Sequence, residues 1–312
     1  MKNPTDRWSA PRAYRIGSNF LIFHGGLGPG DSRHHTGGKP LWLKQELERI
    51  AFEIQKKLRA GQSARALCLA TVKELEKSEV FNAGKGAKLQ ADGKARLTAS
   101  FMDGRQQAFG AAINIEGIIH PSELVHQLIE EKDRCLSGVG ASAFAAARGF
   151  PIERAETEYR VEQWKKKIEE KTGTVGCISL DETGATFACT STGGRGMERP
   201  GRVSDSGTPA GNFANPFGAV SCTGVGEDIL DVSLASSIVT RIEDSLSLQE
   251  SVSRSFLRHP DRQMGMIGLD SHGFGICHAT RGTLSFGVVT KDWIQVGLTN
   301  EDWQNLAAQL DS

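Results

Sequence analysis

Apolar and polar positions alternate in blocks along this chain, and the spacing within each block predicts its element. Residues 19–24 form a short apolar run that ends in the glycine turn His24-Gly25-Gly26-Leu27-Gly28-Pro29-Gly30, so a buried strand delivers that turn. The polar, glycine-rich stretch 31–40 reads as a loop. From Leu43, apolar residues fall at 43, 47, 50, 51, 54 and 58, the spacing of one helix face, and Gly61 closes it. A second helix is predicted from about Ser63 to Lys77. Strands are predicted at 97–102 and 108–115, and helices at 121–131 and 141–147. The segment 151–172 is charged, with Trp164-Lys165-Lys166-Lys167 followed by Glu169 and Glu170, and reads as a solvated linker or frayed helix. Residues 174–180 and 185–190 predict a hairpin that turns at Asp181-Glu182-Thr183-Gly184. A strand follows at 219–223. Leu230, Leu234, Ile238 and Ile242 mark one face of a single long helix, and strands near 264–269, 273–278 and 284–289 complete the chain. Blocks of strands alternate with blocks of helices, which argues for a layered α+β fold and against a doubly wound parallel sheet.

Composition narrows the function classes. Lysine plus arginine balance aspartate plus glutamate at 37 each, so no excess charge points to nucleic acid or an anionic membrane. Apolar residues make up 38% of the 312 and charged residues 24%, as in ordinary globular proteins. The 36 glycines fall in clusters, which suits tight turns around a site. None of the six cysteines forms a CxxC pair, and Cys68, Cys177, Cys189 and Cys222 sit in apolar or small-residue runs, so free buried thiols are expected. The first nineteen residues are polar and lack the apolar stretch of a signal peptide, and the apolar run 20–23 is too short to cross a membrane. A soluble cytoplasmic protein is the expectation.

The candidate chemistry starts at Gly173-Thr174-Val175-Gly176, where a threonine opens a strand directly after the charged linker. A threonine hydroxyl needs an adjacent base to act as nucleophile. Internal cleavage before Thr174 would supply its own α-amine, with an ordinary pKa of about 7.7–8.0. Gly173 leaves room for the strained peptide that an N-to-O acyl shift needs. If the hairpin pairs as predicted, Thr190-Ser191-Thr192-Gly193-Gly194 returns beside Thr174. Arg202 then offers a fork for a substrate carboxylate, and Asp205 an anion for an α-ammonium. Thr223 and the Gly224 amide end the next strand as candidate oxyanion donors.

These segments resemble a known family. GTVGCISLDETGATFACTSTGG, GRVSDSGTPAGNFAN and AVSCTGVGED are similar to motifs of the plant-type asparaginases and isoaspartyl peptidases, which include glycosylasparaginase. In the first half, His24-Gly25-Gly26, Phe81-Asn82-Ala83-Gly84-Lys85-Gly86 and Ala99-Ser100-Phe101-Met102-Asp103-Gly104 resemble the HGG, FNAGxG and ASxMDG motifs. The resemblance spans roughly residues 19 to 290. It implies a single domain over 1–312, a four-layer αββα sandwich of the N-terminal-nucleophile hydrolase fold, cut into chains 1–173 and 174–312. It also implies Thr174 as nucleophile, Thr192 as its hydrogen-bond partner, Arg202 and Asp205 as the substrate clamp, Thr223 and Gly224 as oxyanion donors, Asn82 as an orienting group and Gly226 as part of the pocket. No cofactor is implied for catalysis. A structural sodium on backbone carbonyls around Leu75, Glu76, Ser78, Phe81, Ala83 and Lys85 is, and so is a homodimer of the cleaved unit acting on asparagine or a β-aspartyl dipeptide.

The chain departs from the family pattern at several points. Thr98 stands where the family usually has Asp, Ser204 where it has Gly, Gly207 where it has Pro, and Leu27 where it has Ala. The usual FNTxGM segment reads His278-Ala279-Thr280-Arg281-Gly282-Thr283. A glycosylasparaginase-like amidase and a non-cleaving homologue that only binds aspartyl ligands are the alternative readings. His34-His35 lack metal-ligand spacing and read as solvated loop residues, and the glycine turn after His24 lacks the GK[ST] of a phosphate loop.

Overall fold

The structure is a computed structural model that describes residues 10–28, 41–167, 173–280 and 284–306. His34, His35, Pro29, Gly30 and the 281–283 part of the altered C-terminal motif lie outside the described residues, as do Glu169 and Glu170.

Two sheets face each other. The larger runs in the order β13 (Ile294–Gly297), β12 (Leu284–Val289), β2 (Phe20–Leu27), β6 (Val175–Leu180), β7 (Thr186–Thr192), β3 (Leu97–Asp103), β4 (Ala108–Ile115) and β5 (Cys135–Ser137). The smaller runs β1 (Tyr14–Arg15), β11 (Phe274–Ala279), β10 (Met264–Asp270), β9 (Gly218–Gly224) and β8 (Asn212–Asn215). Among these pairs, β4 with β5 is parallel and the rest are antiparallel.

Alternation along each strand builds three apolar layers. Leu21, Phe23, Val175, Cys177, Phe187 and Cys189 face the helices α1 (Leu41–Arg59), α2 (Ala64–Lys77) and α3 (Pro121–Leu128). Their neighbours Phe20, Ile22, Ile178, Leu180 and Ala188 face Ala219, Ile267 and Leu269 of the other sheet. Val220, Cys222, Met264 and Met266 face α7 (Leu234–Glu243) and α8 (Leu248–Leu257). This is the expected αββα sandwich.

Three sequence expectations for the helical segments change. The single helix over 230–242 is two helices, α6 (Gly226–Val232) and α7, because Ser233 takes a left-handed conformation at φ 49° and breaks the ladder. The helix over 121–131 ends at Leu128. Part of the charged linker is docked rather than solvated: α5 (Glu158–Lys165) buries Arg160, whose Nε donates to the Gly86 carbonyl at 2.8 Å. Five of the six thiols are buried and Cys135 is exposed. Elsewhere α4 (Gly138–Ala147) and α9 (Asn300–Asn305) flank the larger sheet and its C-terminal edge.

Candidate active site

The facing surfaces of the two sheets become hydroxyl-rich toward the C-terminal ends of β7 and β9. On β7 the inward positions run Ala188, Thr190, Thr192, and on β9 they run Ala219, Ser221, Thr223. Thr190 and Ser221 meet across the gap at 2.6 Å between hydroxyls. The candidate nucleophile sits at this polar end.

Thr174 immediately precedes β6 and is 7% exposed. The hairpin register pairs Val175 with Ser191, so Thr174 comes opposite Thr192, and its hydroxyl donates to Thr192 Oγ1 at 3.1 Å. Thr192 Oγ1 also accepts from the Gly194 amide at 3.1 Å. Asn82 closes the turn behind them. Its Nδ2 donates to the Gly194 carbonyl at 2.6 Å, its Oδ1 accepts from Lys88 N at 2.9 Å, and its carbonyl accepts from Gly193 N.

The backbone around the candidate scissile bond is crowded. Gly173 has φ +144°, and a Cβ there would lie 2.8 Å from Cβ of Asn82. Gly26 has φ +105°, and a Cβ there would lie 2.9 Å from Gly173 Cα and 3.1 Å from the Thr174 carbonyl oxygen. The sequence predicts a turn at Gly25-Gly26, but β2 runs through both to Leu27, and its Gly26 presses on the Gly173–Thr174 junction with nothing but backbone. Next to it, Leu27 N donates to Thr223 Oγ1 at 3.3 Å, which ties the candidate oxyanion residue to the same strand. Gly224 follows at φ +137° against the Gln263 carbonyl.

The clamp is a separate cluster. Arg202 donates from Nε to Glu227 Oε1 at 2.7 Å and from Nη2 to Oε2 at 2.9 Å, a side-on fork that fixes the guanidinium plane. Burial works against the charge of Arg202, but Glu227, Asp205 and Glu198 outweigh it and hold its pKa above the ordinary value. Asp205 is buried, and burial pushes its carboxyl up to about 6, although the Ser204 hydroxyl and Arg202 pull the other way. Gly226 lets the two approach: a Cβ there would lie 2.5 Å from Arg202 Nη2 and 2.7 Å from Asp205 Oδ1. Strands of the first half anchor this loop. Ser100 Oγ donates to the Ser206 carbonyl at 2.6 Å, and Asn114 Nδ2 donates to the Arg202 carbonyl at 2.9 Å.

The structure thus joins Thr174, Thr192 and Asn82 in one hydrogen-bonded group and Arg202, Asp205 and Gly226 in another. Sequence reasoning missed how four residues are placed here. His24 is fully buried, its Nε2 lies 3.0 Å from Ser221 Oγ, and burial drives its pKa down to about 3, opposed by the Thr174 backbone. Glu227 orients Arg202. Ser204, the departure from the family pattern beside the clamp, donates to Asp205 Oδ1 at 3.0 Å. Glu198 is 2% exposed, and its Oε1 lies 1.9 Å from where a Cβ of Gly194 would sit. These links span up to 197 residues of chain; the HGG resemblance pointed at His24 and the departure from the family pattern at Ser204.

Where α2 ends and the chain runs on to Lys85, the Leu75 and Ala83 carbonyls accept hydrogen bonds from Ser78 N and Gly86 N. Those of Glu76 and Phe81 abut Gly84 and Gly86. The Glu76 carboxylate turns away to Ser122, which donates from N at 3.1 Å and from Oγ at 2.6 Å. Neutral oxygens of this kind suit a hard cation. Among the described residues, no cluster of three or more His, Cys, Asp or Glu side chains could hold a metal.

Comparison with known proteins decides between the families that such a site could serve. A family model described as asparaginase matches residues 17–298. The chain belongs to the asparaginase family. Its relatives in that family include a protein named isoaspartyl peptidase/L-asparaginase from Nostoc sp., 40% identical over 276 residues, covering 81% of this chain and 86% of the relative. One of the same name from Synechocystis sp. is 38% identical, covering 81% and 82%. One from Rattus norvegicus is 33% identical, covering 93% and 92%. The asparaginase family model takes in Gly25 and Gly26, both strands of the hairpin that carries Thr174 and Thr192, and the loop with Arg202 and Asp205. No helix among the described residues is long and apolar enough to cross a membrane.

Proposed function

We propose that this chain is a self-cleaving threonine amidohydrolase that cuts itself between Gly173 and Thr174 and hydrolyses β-aspartyl (isoaspartyl) peptides, L-asparagine or both. The observation that carries the reading is the Thr174 hydroxyl, buried at the head of β6, hydrogen-bonded to Thr192 and adjoining a glycine junction pressed by Gly26.

In the first reaction, Thr174 Oγ attacks the Gly173 carbonyl carbon. The C–N bond breaks, the hydroxyl proton passes to the departing nitrogen, and an ester forms. Water then hydrolyses the ester, which leaves a Gly173 carboxylate and a free Thr174 amine. That amine is the base for turnover. It takes the Oγ proton as Oγ attacks the substrate's side-chain amide carbonyl. Thr192 holds the hydroxyl in line, and Thr223 with the Gly224 amide meets the developing oxyanion. The leaving amine takes the proton, and water releases aspartate from the acyl-enzyme. Arg202 grips the substrate's α-carboxylate and Asp205 its α-ammonium. Asparagine and β-aspartyl dipeptides share both groups, so the clamp accepts either.

The same reading includes a sodium ion held by carbonyls among Leu75, Glu76, Ser78, Phe81, Ala83 and Lys85, a pair of cleaved units as the working form, and a cytoplasmic location. The carbonyl-rich segment and the family support the first, and the family resemblance alone supports the second.

Intact mass measurement of purified protein after incubation tests the core of this proposal. Fragments 1–173 and 174–312 are expected from the wild type and a single chain from Thr174→Ala. The wild-type fragments should release aspartate from β-aspartyl dipeptides or asparagine. A wild type that stays whole under all conditions overturns the reading and leaves a binding protein for aspartyl ligands.

A further inference from the structure

Asp205 is an unusual anion. It is 3% exposed, yet its Oδ2 has no hydrogen-bond partner among the described residues, and a carboxylate buried in that condition is costly. One side-chain donor reaches it, the hydroxyl of Ser204, at 3.0 Å from Oδ1. Ser204 is itself buried and held by its neighbours. Its Oγ accepts from the Ser206 amide at 3.3 Å and lies 3.3 Å from Ser206 Oγ. The hydroxyl's one proton has two acceptors in reach, Asp205 Oδ1 at 3.0 Å and Ser206 Oγ at 3.3 Å, and the carboxylate is the nearer and the charged one.

Besides Ser204, the charge of Arg202 and the backbone amides of Ser206 and Asp205 offset part of that cost, and the remaining surroundings are neutral. Arg202, on the same loop, is committed side-on to Glu227 of α6. From β9 comes Cys222, a buried thiol whose pKa burial raises well above the ordinary value, so it adds no charge. From β3 and β4 come the neutral Ser100, which bonds the Ser206 carbonyl, and Asn114, which bonds the Arg202 carbonyl. Gly211 and Gly226 lie against the two carboxylate oxygens with no side chain. An arriving ammonium supplies the donors that the pocket lacks.

We propose that Ser204 is a positioning residue for substrate-amine recognition: its hydroxyl fixes the Asp205 carboxylate in one rotation and in its charged form, ready for the α-ammonium. This rests on the clamp assignment in the proposed function. A serine that merely caps the short turn Asp205–Gly207 would make the same backbone contact to Ser206, so the test must separate the two roles.

The experiment is calorimetric titration of cleaved enzyme with L-aspartate, and with succinate, which lacks the amine, across pH 5 to 8. Ser204→Ala is expected to weaken aspartate binding roughly tenfold near neutrality, the loss of one hydrogen bond to a charged group. The pH at which aspartate binding fails on acidification should rise by about one unit, because the Ser204 bond no longer opposes burial. Succinate binding should change less than about twofold, and Ser204→Thr should restore both aspartate affinity and the acid limit. Equal weakening for aspartate and succinate with an unmoved acid limit shows a cap only and overturns the proposal. So does an Ala variant that binds aspartate like the wild type. A wild type that binds no aspartate at any pH overturns the clamp assignment itself, and the proposal falls with it.

Discussion

The two halves of the site are built on different principles. Thr174, Thr192 and Thr223 belong to strands or their ends, are buried, and carry no side-chain charge. Their positions follow from sheet register and from the end of β2. Arg202 and Asp205 stand on a loop, are ionised or nearly so, and depend on side-chain bonds from Glu227, Ser204 and Asn114. Register cannot drift by less than a residue, whereas a charge on a loop responds to every neighbour. On the proposed roles, the chemistry sits on the rigid element and the recognition on the adjustable one.

This contrast can be broken in a graded way. The largest effect is expected from Asp205→Asn. The folded pKa of about 6 lies above the ordinary 3.8, so Asp205 favours the fold below about pH 4 and loses that advantage as pH rises through 6. At pH 7.5 the charge costs about 3 kcal/mol, and Asn should recover much of it as a higher Tm that vanishes at pH 3, while aspartate binding is lost. A thermal melt across pH checks both signs. By contrast, Thr192→Val should lower kcat about a hundredfold with little change in KM, since it strips the nucleophile of its partner. Arg202→Lys should raise KM about tenfold and leave self-cleavage intact, because an ammonium cannot reproduce the planar fork. Steady-state kinetics beside an intact-mass time course separates these two. Smallest is Glu227→Gln, about threefold in KM, since a neutral amide still bonds the guanidinium at a half-exposed position. A kcat effect from a clamp variant, or a KM effect from Thr192, would erase the distinction.

Much of this is legible in the sequence. Runs with clean alternation, such as 97–102 and 174–180, became the central strands, because two buried faces leave only one register for them. That 190–194 returns beside Thr174 followed from the hairpin, and Thr192 as its partner from the family resemblance. Elements at the margins were not read. β8 is four residues with Asn at each end, a composition with weak strand preference, and it lies inside a segment that resembled a site loop. α8 was passed over although Ser247 and Glu250 form a capping box that stands in the sequence as Ser-x-x-Glu. The break at Ser233 is invisible to periodicity, because α7 continues nearly the same apolar stripe. In the site, the residue types were readable and their partners were not. Nothing local says that His24 meets Ser221 or that Glu227 holds Arg202.

The departures at Thr98 and Gly207 turn out to share one space. A Cβ at Gly207 would lie 2.9 Å from Thr98 Cγ2 and 2.9 Å from Ile113 Cγ1. The loss of the family's proline therefore accommodates the side chains beneath the clamp loop.

The order of the larger sheet has one more consequence. β6 and β7, from the segment after Thr174, lie between β2 and β3, from the segment before it, while β12 and β13 lie outside β2. If the chain is cut at Thr174 as proposed, neither piece owns a complete sheet, so the two cannot drift apart without unzipping its middle. Unfolding of the mature protein then releases two molecules where one went in, and recovery becomes a collision between strangers. Dilution, harmless to the native state, should make thermal denaturation irreversible.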